Sequence, residues 1–366
     1  MDTKSETGRF GGDKELAKRF KGLVAFTKKT RTMLVHVTNK CNLRCDGCWF
    51  YADEFEKRSQ DIREIGQWRA FAKHEAERGI NVGILIGGEP TLYPARVAAI
   101  RDYIPFVTVS TNGEFYLSRD DFPDVTIANT LFGGGPVDDD IRAIRPNRKR
   151  FSGLFRKVLD NYRNDPRAGF VYGLTEKAMP YMEETIQRIG DAGLRAMFNY
   201  YRDFSHGDNA LETEKRLLDE ALRLKDKYPD IVISHPYYIT ALLSGEARLA
   251  NGRVWGVFGA ETCPAFSQDY PGNAERLAAS TPTLPAFNAY SNELKPIKCC
   301  NAGNCSLCRD SQAVSSWLLA SHRHFLASPE DLRTWVEVNE AFWSQFIWTP
   351  YHPHHKVVFG DDRSAA

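Results

Sequence analysis

Apolar runs alternate with amphipathic runs along the chain from about residue 30 to residue 200. Short apolar runs bounded by polar residues predict six strands, at 33–37, 82–86, 106–110, 125–132, 170–174 and 194–200. Segments with helical periodicity lie between them, at 63–79, 95–103, 150–163 and 178–193. Because strands that alternate with helices form βαβ units, we predict an α/β fold on a parallel sheet, with six units in an open or partial barrel.

The pattern changes on both sides of this predicted barrel, which we assign to residues 31–240. Residues 1–30 are polar and predict an N-terminal arm. From about residue 245 glycine and proline become frequent and the periodicity fades, so we predict a second domain over 245–310. The last region, 311–366, contains two helical patterns, near 311–326 and 329–346, and a histidine-bearing tail that we expect to be solvated.

Composition and charge narrow the class of protein. Hydrophobic residues make up 42% of the 366 residues and charged residues 26%, which is typical of a globular protein. The 48 basic and 47 acidic side chains leave a net charge of +1, so we expect neither a nucleic-acid partner nor a membrane partner. The start of the chain has no apolar run typical of a signal peptide. We therefore expect a cytoplasmic protein whose eight cysteines are metal ligands or reactive thiols before disulfides.

Three of those cysteines lie in the loop predicted to follow the first strand. Cys41, Cys45 and Cys48 form a C-x3-C-x2-C motif. Thiolates bind soft metals, and a site with three protein ligands leaves a position open for chemistry. The motif alone is compatible with part of a zinc site. The spacing and the missing fourth ligand favour an iron–sulfur cube in which one iron can bind a small molecule.

Two glycine-containing turns are predicted at the same edge of the sheet. Gly87-Gly88-Glu89-Pro90 follows the second predicted strand, and Ser110-Thr111-Asn112-Gly113 follows the third. Ligands of open parallel sheets bind at the carboxyl ends of the strands, and glycines let the backbone approach a ligand closely. By itself a Gly-Gly-Glu-Pro run is an ordinary turn. Its position beside the cysteine motif predicts a binding role.

The cysteine motif and the GGEP turn one βα unit later resemble the radical S-adenosylmethionine (radical SAM) superfamily. The STNG turn and the segment FGGGPVDDDIR, residues 132–142, extend the resemblance over about residues 30–200. The resemblance implies a partial (βα)6 barrel, a [4Fe–4S] cluster on Cys41, Cys45 and Cys48, and S-adenosylmethionine bound at the free iron. It also implies reductive cleavage of S-adenosylmethionine to methionine and a 5′-deoxyadenosyl radical that abstracts hydrogen from a substrate. An electron donor such as flavodoxin or ferredoxin is implied as a partner.

The resemblance also suggests which residues contact S-adenosylmethionine. The backbone of Gly87, Gly88 and Glu89 is expected to bind the methionyl amino group, and Glu89 to add a carboxylate. Many members have an aromatic residue just before the third cysteine, whereas this chain has Gly47 there and aromatic residues after it. We expect the adenine contact to be built differently. The full set of expected contacts is Gly87, Gly88, Glu89, Pro90, Trp49, Phe50, Ser110, Asn112 and Asn199.

Several other polar residues are weaker candidates. A lone strand histidine such as His36 is most simply a core residue. Arg142 and Arg145 are either surface charges or clamps for a carboxylate. The ends of the fifth and sixth predicted strands offer possible contacts to the methionyl carboxylate or the substrate, namely Tyr172, Asn199, Tyr200 and Arg202.

The other five cysteines fall in the predicted second domain: Cys263, Cys299, Cys300, Cys305 and Cys308. Four thiolates can close a structural zinc knuckle or hold a second iron–sulfur cluster. The arrangement resembles the auxiliary SPASM or twitch domains of radical SAM enzymes, although five thiols suffice for one [4Fe–4S] cluster and not for two. Adjacent cysteines cannot easily bind one small cluster together, so only one of Cys299 and Cys300 is expected among the ligands. The spare thiol is an inert buried group or a hydrogen-atom donor.

These alternatives lead to different reactions. With an auxiliary cluster as electron acceptor, the expected net reaction is a two-electron oxidation, either a dehydrogenation or a cross-link. With Cys299 or Cys300 as hydrogen-atom donor, the enzyme is a radical epimerase. A non-catalytic metal-binding module is the remaining class. The N-terminal arm is too short for a usual peptide-recognition domain, which favours a small-molecule substrate over a ribosomally made peptide in a maturase reaction.

Overall fold

The computed structural model describes residues 12–52, 54–200, 215–256, 288–297, 314–315, 318–319 and 322–344. Nine strands are found in these ranges: β1 (Thr32–His36), β2 (Val82–Ile86), β3 (Phe106–Thr111), β4 (Val125–Phe132), β5 (Ala168–Leu174), β6 (Arg195–Tyr200), β7 (Glu246–Arg248), β8 (Val254–Gly256) and β9 (Asn288–Tyr290). Seven of them form one parallel sheet in the order β6-β5-β4-β3-β2-β1-β9, and β7 pairs with β8 in a separate antiparallel ribbon.

Helices connect the strands of the sheet and extend the chain at both ends. In the described ranges they are α1 (Lys14–Lys29), α2 (Trp49–Ala52), α3 (Phe55–Arg58), α4 (Ile65–Glu77), α5 (Pro94–Arg101), α6 (Gly135–Arg142), α7 (Leu154–Tyr162), α8 (Met179–Asp191), α9 (Lys215–Lys227), α10 (Pro236–Ser244), α11 (His322–Phe325) and α12 (Pro329–Trp343). Short 3-10 turns occur at Pro90–Leu92 and Glu176–Ala178. No described helix has the length and apolar character needed to cross a membrane.

The two faces of the sheet have different surroundings. Gly83 of β2 lies under α5, since a Cβ added there would be 3.7 Å from Ile100 and 3.6 Å from Ile104. The large core cluster lies on this helix-covered face. On the other face Leu34, Ile84 and Ala289 form a small separate cluster. Because both faces are covered, the strands consist of nearly continuous apolar runs, as parallel strands usually do.

All six predicted strands of the barrel are present, and the α/β class is confirmed. Helices α4, α5, α7 and α8 occupy the four predicted helical segments, and α12 occupies the predicted segment 329–346. Strand β9 was not predicted. It pairs with β1 although it lies at 288–290, within the range assigned to the second domain. Three residues are too few to show a periodic pattern, so the sequence carries no signal for it.

The predicted N-terminal arm contains helix α1, which packs on the C-terminal helix α12. Asp13 caps α1 by accepting a hydrogen bond from the amide of Leu16 at 2.9 Å. Phe26 is buried and meets Trp343 edge to face, with ring centroids 5.1 Å apart. The apolar residues Leu16, Phe20, Leu23 and Val24 recur at helical spacing, so α1 is amphipathic in sequence. The prediction of a polar arm overlooked this pattern.

Candidate cluster and cofactor site

The loops after β1, β2, β3 and β4 meet at the carboxyl edge of the sheet. The loop after β1 carries Cys41, Cys45 and Cys48, and all three thiols are half-buried. Leu43 anchors this loop, because its side chain is fully buried and its carbonyl accepts a hydrogen bond from the Tyr51 hydroxyl at 3.2 Å. The predicted position of the cysteine motif, at the edge where ligands of such sheets bind, is thus observed.

The three thiols form an unfavourable place for negative charge when no cation is bound. Burial raises the pKa of the Cys45 thiol to about 12, while the positive charge of Arg142 opposes that rise. Burial also raises the pKa of Cys41, and the charges of Glu89 and Cys45 raise it further. Thiolates that are buried and lie close enough to repel one another need a cationic centre to stabilise their charge.

The donor set of this loop suits a soft metal centre. Cys41, Cys45 and Cys48 offer three thiols on one loop, and thiolates bind zinc or iron–sulfur clusters. In an iron–sulfur cluster each thiolate binds a different iron, whereas a zinc ion needs its sulfur ligands at about 2.3 Å from one centre. The three thiols are compatible with a [4Fe–4S] cluster, which stays a prediction at this loop.

The GGEP turn packs directly against the loop that carries the cysteines. The amide of Gly88 donates to the carbonyl oxygen of Thr38 at 2.9 Å, and the amide of Glu89 donates to that of Lys40 at 2.8 Å. Gly87 has a φ of +125°, and a Cβ at Gly88 would lie 2.0 Å from the Lys40 carbonyl oxygen. The two glycines are thus required for the close approach of two backbone segments. Since both amides are used inside the protein, the predicted contact to a methionyl ammonium would involve carbonyl oxygens.

Glu89 braces neighbouring loops with its carboxylate. The side chain is buried and accepts hydrogen bonds from the Thr111 hydroxyl at 2.7 Å, the Asn112 amide at 2.8 Å and Thr91. Burial raises the pKa of Glu89, and these donors oppose the rise. Pro90 is buried behind it at the start of a 3-10 turn. The carboxylate therefore links the turn after β2 to the turn after β3. The predicted direct contact of this carboxylate with S-adenosylmethionine stays a prediction.

Asn112 connects the turn after β3 to the cysteine loop. Its side-chain nitrogen donates to the Asn42 side chain at 2.8 Å and lies 3.8 Å from Cys41 Sγ. Its side-chain oxygen accepts the amide hydrogen of Glu114 at 2.9 Å. Because each end of the amide has a defined partner, the donor that faces Cys41 is held in one orientation.

Arg142 is neither a surface charge nor a clamp for a ligand. It is fully buried, pairs with Asp138 at 3.1 Å and donates to the carbonyl oxygen of Asn112 at 2.9 Å. Its own carbonyl oxygen lies 3.8 Å from Cys45 Sγ. A buried pair of this kind needs all its hydrogen-bonding positions satisfied. The glycine-rich segment after β4 thus supports the cysteine loop through Arg142.

Arg145 clamps a carboxylate of the protein itself. It makes two hydrogen bonds to Glu114, at 2.6 and 2.7 Å, and Lys157 approaches the same carboxylate at 3.3 Å. Burial raises the pKa of Glu114, but the hydrogen bond and the charge of Arg145 outweigh burial and hold that pKa below its ordinary value. Glu114 in turn accepts a hydrogen bond from Asn42, the residue next to Cys41. The sequence offered no signal for this pairing across 31 residues.

The remaining predicted contacts are divided between the two faces of the sheet. Ser110 pairs in register with Ala128, and Asn199 pairs with Gly173, on the face away from the helices. Both side chains are half-buried. Tyr172 is buried on the opposite face, where its hydroxyl donates to the carbonyl oxygen of Gly133 at 2.8 Å. The predicted role of Tyr172 in contacting cofactor or substrate is therefore wrong. Adjacent residues of a strand point to opposite faces of the sheet, and Tyr172 points to the helix-covered face.

Of the other residues predicted from the sequence, the structure describes the side chains of two, Phe50 and Tyr200. Phe50 is fully buried and Tyr200 is half-buried at the end of β6. The side chain of Trp49 and the whole of Arg202 lie outside the described residues. So do all the cysteines of the predicted second domain, Cys263, Cys299, Cys300, Cys305 and Cys308. Their assignment to an auxiliary cluster stays a prediction.

Asp61 is the centre of a hydrogen-bonded group that no motif in the sequence indicates. The Asp61 carboxylate accepts from the Thr38 hydroxyl at 2.6 Å, the Asn39 amide at 2.8 Å, the Asn292 side chain at 2.9 Å and Arg96 at 3.1 Å. Burial raises the pKa of Asp61, but these donors outweigh it and keep the pKa below its ordinary value. A cleft of about 770 Å³ lies beside this group and does not include the cysteines. The group holds Thr38 and Asn39, the residues that connect β1 to the cysteine motif.

His36 is a buried core histidine, as expected. It is fully buried in β1, beside the ring of Phe50 at a centroid distance of 6.2 Å, and burial lowers its pKa to about 3. In the unfolded chain a histidine takes up a proton near pH 6.5. The stabilisation from this neutral histidine is therefore fully present above pH 6.5 and decreases as the pH falls towards 3.

We expect His36 to make the protein sensitive to acid. Between pH 7.5 and pH 5 the wild type should lose about 2 kcal/mol of unfolding free energy through this residue, and His36→Leu should not show that loss. Urea unfolding at the two pH values measures the difference. His74, whose side chain is 66% exposed, provides the matched control as His74→Leu. If the unfolding free energy of His36→Leu falls as much as that of the wild type between the two pH values, His36 is not the source of the acid sensitivity.

Comparisons with known proteins agree with the site. Residues 35–129 match the family described as the radical SAM superfamily. A curated relative is the GTP 3′,8-cyclase of Alkaliphilus metalliredigens (strain QYMF), which is 29% identical over 93 residues. That match covers 24% of this chain and 29% of the length of the relative.

Two kinds of solved structure resemble the chain at low sequence identity. The anSMEcpe enzyme with bound AdoMet and a Cp18Cys peptide is 12% identical, with a TM-score of 0.47 and 74% of each chain covered. SuiB of Streptococcus suis bound to the precursor peptide SuiA is 14% identical, with a TM-score of 0.43, covering 57% of this chain and 50% of that one. The family match includes Cys41, Cys45, Cys48, the GGEP turn and Asn112. Residues 35–129 of this chain are thus similar to the radical SAM superfamily.

Proposed function

We propose that the protein is a radical SAM enzyme that oxidises a small-molecule substrate by two electrons. One observation carries the first part of this proposal: three half-buried thiols share one loop, packed against the GGEP turn at the carboxyl edge of the sheet. When bound, a reduced [4Fe–4S] cluster would supply the electron that cleaves S-adenosylmethionine to the hydrogen-abstracting 5′-deoxyadenosyl radical.

The residues around the thiols hold the cluster ligands in place. Asn112 presents an amide donor 3.8 Å from Cys41 Sγ, and hydrogen bonds to cluster sulfurs are one of the means by which proteins set the reduction potential. Arg142 brings a buried positive charge into electrostatic contact with Cys45. Glu89 keeps the turns after β2 and β3 together. These supporting contacts favour a site whose ligand geometry is set by the folded protein.

The inner face of the sheet offers neutral polar groups for a substrate. Ser110 and Asn199 lie on this face and are half-buried. The interior positions of the six barrel strands carry no Asp, Glu or Lys, and their one Arg, Arg195, is exposed at the start of β6. Neutral hydrogen-bonding groups suit a small polar molecule better than a strongly charged one. Support for an oxidation, rather than a radical epimerisation, comes from the sequence alone. The run KCCNAGNCSLCRD, with Cys263, can hold a second cluster able to accept an electron.

Anaerobic reconstitution of the full chain tests this function. We expect about eight irons per chain, and about four if only the first cluster is present. With a chemical reductant, the protein should convert S-adenosylmethionine to equal amounts of methionine and 5′-deoxyadenosine. A reconstituted protein that binds iron but forms no 5′-deoxyadenosine would overturn the proposal in favour of a metal-binding module. About four irons together with zinc would overturn the role of an auxiliary cluster.

A further inference from the structure

A short hairpin lies directly against the loop that carries Cys45. Ile144 and Arg150 form an antiparallel bridge, and the Arg148 amide donates to the Arg145 carbonyl oxygen at 2.8 Å to close the turn. The amide of Arg44 donates to the carbonyl oxygen of Ile144 at 2.7 Å. The hairpin is thus hydrogen-bonded to the residue that precedes Cys45.

The hairpin and the start of α7 form a concentrated patch of positive charge. Residues 144–157 contain six basic side chains and no acidic one, in a chain whose net charge is only +1. The side chains of Arg148 and Arg150 are 61% and 56% exposed. The carboxylates of Glu114 and Asp46 pair with members of this patch. The Asp139 carboxylate accepts hydrogen bonds from backbone amides of the same segment, so six positive charges against three negative ones leave about three unbalanced. The patch consists of Arg145, Arg148, Lys149, Arg150, Arg156 and Lys157.

At this patch the cysteine loop reaches the protein surface. Asp46 follows Cys45 directly, its side chain is 45% exposed, and it pairs with Arg148 at 3.5 Å and with Arg150 at 3.1 Å. Its amide donates to the carbonyl oxygen of Ile141 at 2.9 Å. A partner that contacts the hairpin is therefore separated from the Cys45 thiol by one residue and its hydrogen bonds.

Reductive cleavage of S-adenosylmethionine consumes one electron that the chain itself does not provide. We propose that the basic patch at residues 144–157 is the docking surface for an acidic one-electron carrier protein of the flavodoxin type. The inference rests on the proposed function. The reduced carrier would be oxidised by one electron, and a cluster held by Cys41, Cys45 and Cys48 would be reduced by it. No bond or proton is exchanged at the surface. Complementary charge speeds such encounters and orients the partner near the site that it serves.

A charge-neutral hairpin variant tests the docking surface. It combines Arg148→Asn, Lys149→Gln and Arg156→Gln. Asn suits position 148 because Arg148 has a φ of +66°, a conformation that Asn adopts more readily than most residues. The matched control removes three exposed charges from outer helices, as Lys14→Gln, Lys73→Gln and Arg216→Gln. The probe is an oxidised flavodoxin of negative net charge, and its dissociation constant is measured by titration calorimetry.

We expect the hairpin variant to bind flavodoxin about tenfold more weakly than the wild type at about 0.05 M salt, and the control to stay within about twofold. Wild-type binding should weaken at about 0.3 M salt, because exposed charges are then screened. Equal binding by the hairpin variant and the control would overturn the inference. So would a patch-dependent preference for an RNA oligonucleotide over flavodoxin.

A chemical reductant separates this inference from the proposed function. With dithionite in place of flavodoxin, the hairpin variant should form 5′-deoxyadenosine at the wild-type rate, because a small reductant needs no docking surface. If no variant forms 5′-deoxyadenosine with dithionite, the proposed function fails, while the calorimetric result still decides whether the patch binds the carrier. A loss with dithionite that is confined to the hairpin variant would overturn the docking role, since the patch would then be needed for the site itself.

Discussion

Replacement of Cys45 by serine is expected to lower the formation of 5′-deoxyadenosine by more than a factor of about 100. Loss of a group that merely supports a metal ligand already costs about 10- to 100-fold, and Cys45 is a predicted ligand itself. Its thiol is half-buried and lies 3.8 Å from the carbonyl oxygen of Arg142. A serine hydroxyl is a poor ligand for iron at neutral pH, because thiolate is the form that binds. Anaerobic reconstitution, an iron count and product analysis measure the effect.

Cys263→Ser is the control for this experiment. Cys263 is a predicted ligand of the auxiliary cluster, so its loss should remove about four irons per chain and leave the first cluster able to cleave S-adenosylmethionine. The circular dichroism spectrum of each variant shows whether the sheet has formed. If Cys45→Ser keeps its iron at the first site and still forms 5′-deoxyadenosine, the motif Cys41-Cys45-Cys48 is not the cluster site.

Gly88→Ala is expected to destabilise the protein by about 3 kcal/mol and to reduce the iron bound at the first site. The added Cβ would stand 2.0 Å from the carbonyl oxygen and 2.5 Å from the carbonyl carbon of Lys40. Both atoms belong to the backbone, so a side-chain rotation cannot relieve the overlap. The cysteine loop must move away from the GGEP turn, which breaks the hydrogen bonds from Gly88 and Glu89 to that loop.

Gly66→Ala provides a matched change of the same size. Gly66 lies in α4, and a Cβ there meets no atom within 4 Å. This variant should be neutral or up to about 1 kcal/mol more stable, since alanine restricts the unfolded chain. Urea unfolding and iron content report both variants. Equal stability and iron content in Gly88→Ala and wild type would show that the turn does not set the position of the cysteine loop.

The strands of the barrel and the positions of its turns could be predicted because they depend on short-range pattern. An apolar run such as 82–86 must be buried on both faces, and the turn at Gly87 must then follow at the edge of the sheet. The cysteine motif and the GGEP turn were placed together for the same reason, since parallel strands bring their carboxyl ends to one edge. Helix α1 was missed although Leu16, Phe20, Leu23 and Val24 recur at helical spacing, because the prediction weighed the polar composition of residues 1–30 above this pattern.

The roles of individual polar side chains could not be predicted in the same way. Glu89 is expected from the resemblance to face S-adenosylmethionine, yet its carboxylate is bonded to Thr91, Thr111 and Asn112. Arg142 could have been a surface charge, but it is buried against Asp138. For Tyr172, a strand residue, the sequence does not state which face of the sheet the side chain occupies.

The sequence by itself determined that this chain forms a parallel α/β sheet and that three cysteines stand at its carboxyl edge without a fourth ligand nearby in sequence. Hydrophobic periodicity and ligand spacing are local properties, so they can be read from neighbouring residues. Only the tertiary structure decided that Gly88 makes room for the Lys40 backbone, that Glu89 joins two turns, and that a basic hairpin meets the cysteine loop. These contacts join segments that are far apart in the chain, and they exist only once the sheet has brought those segments together.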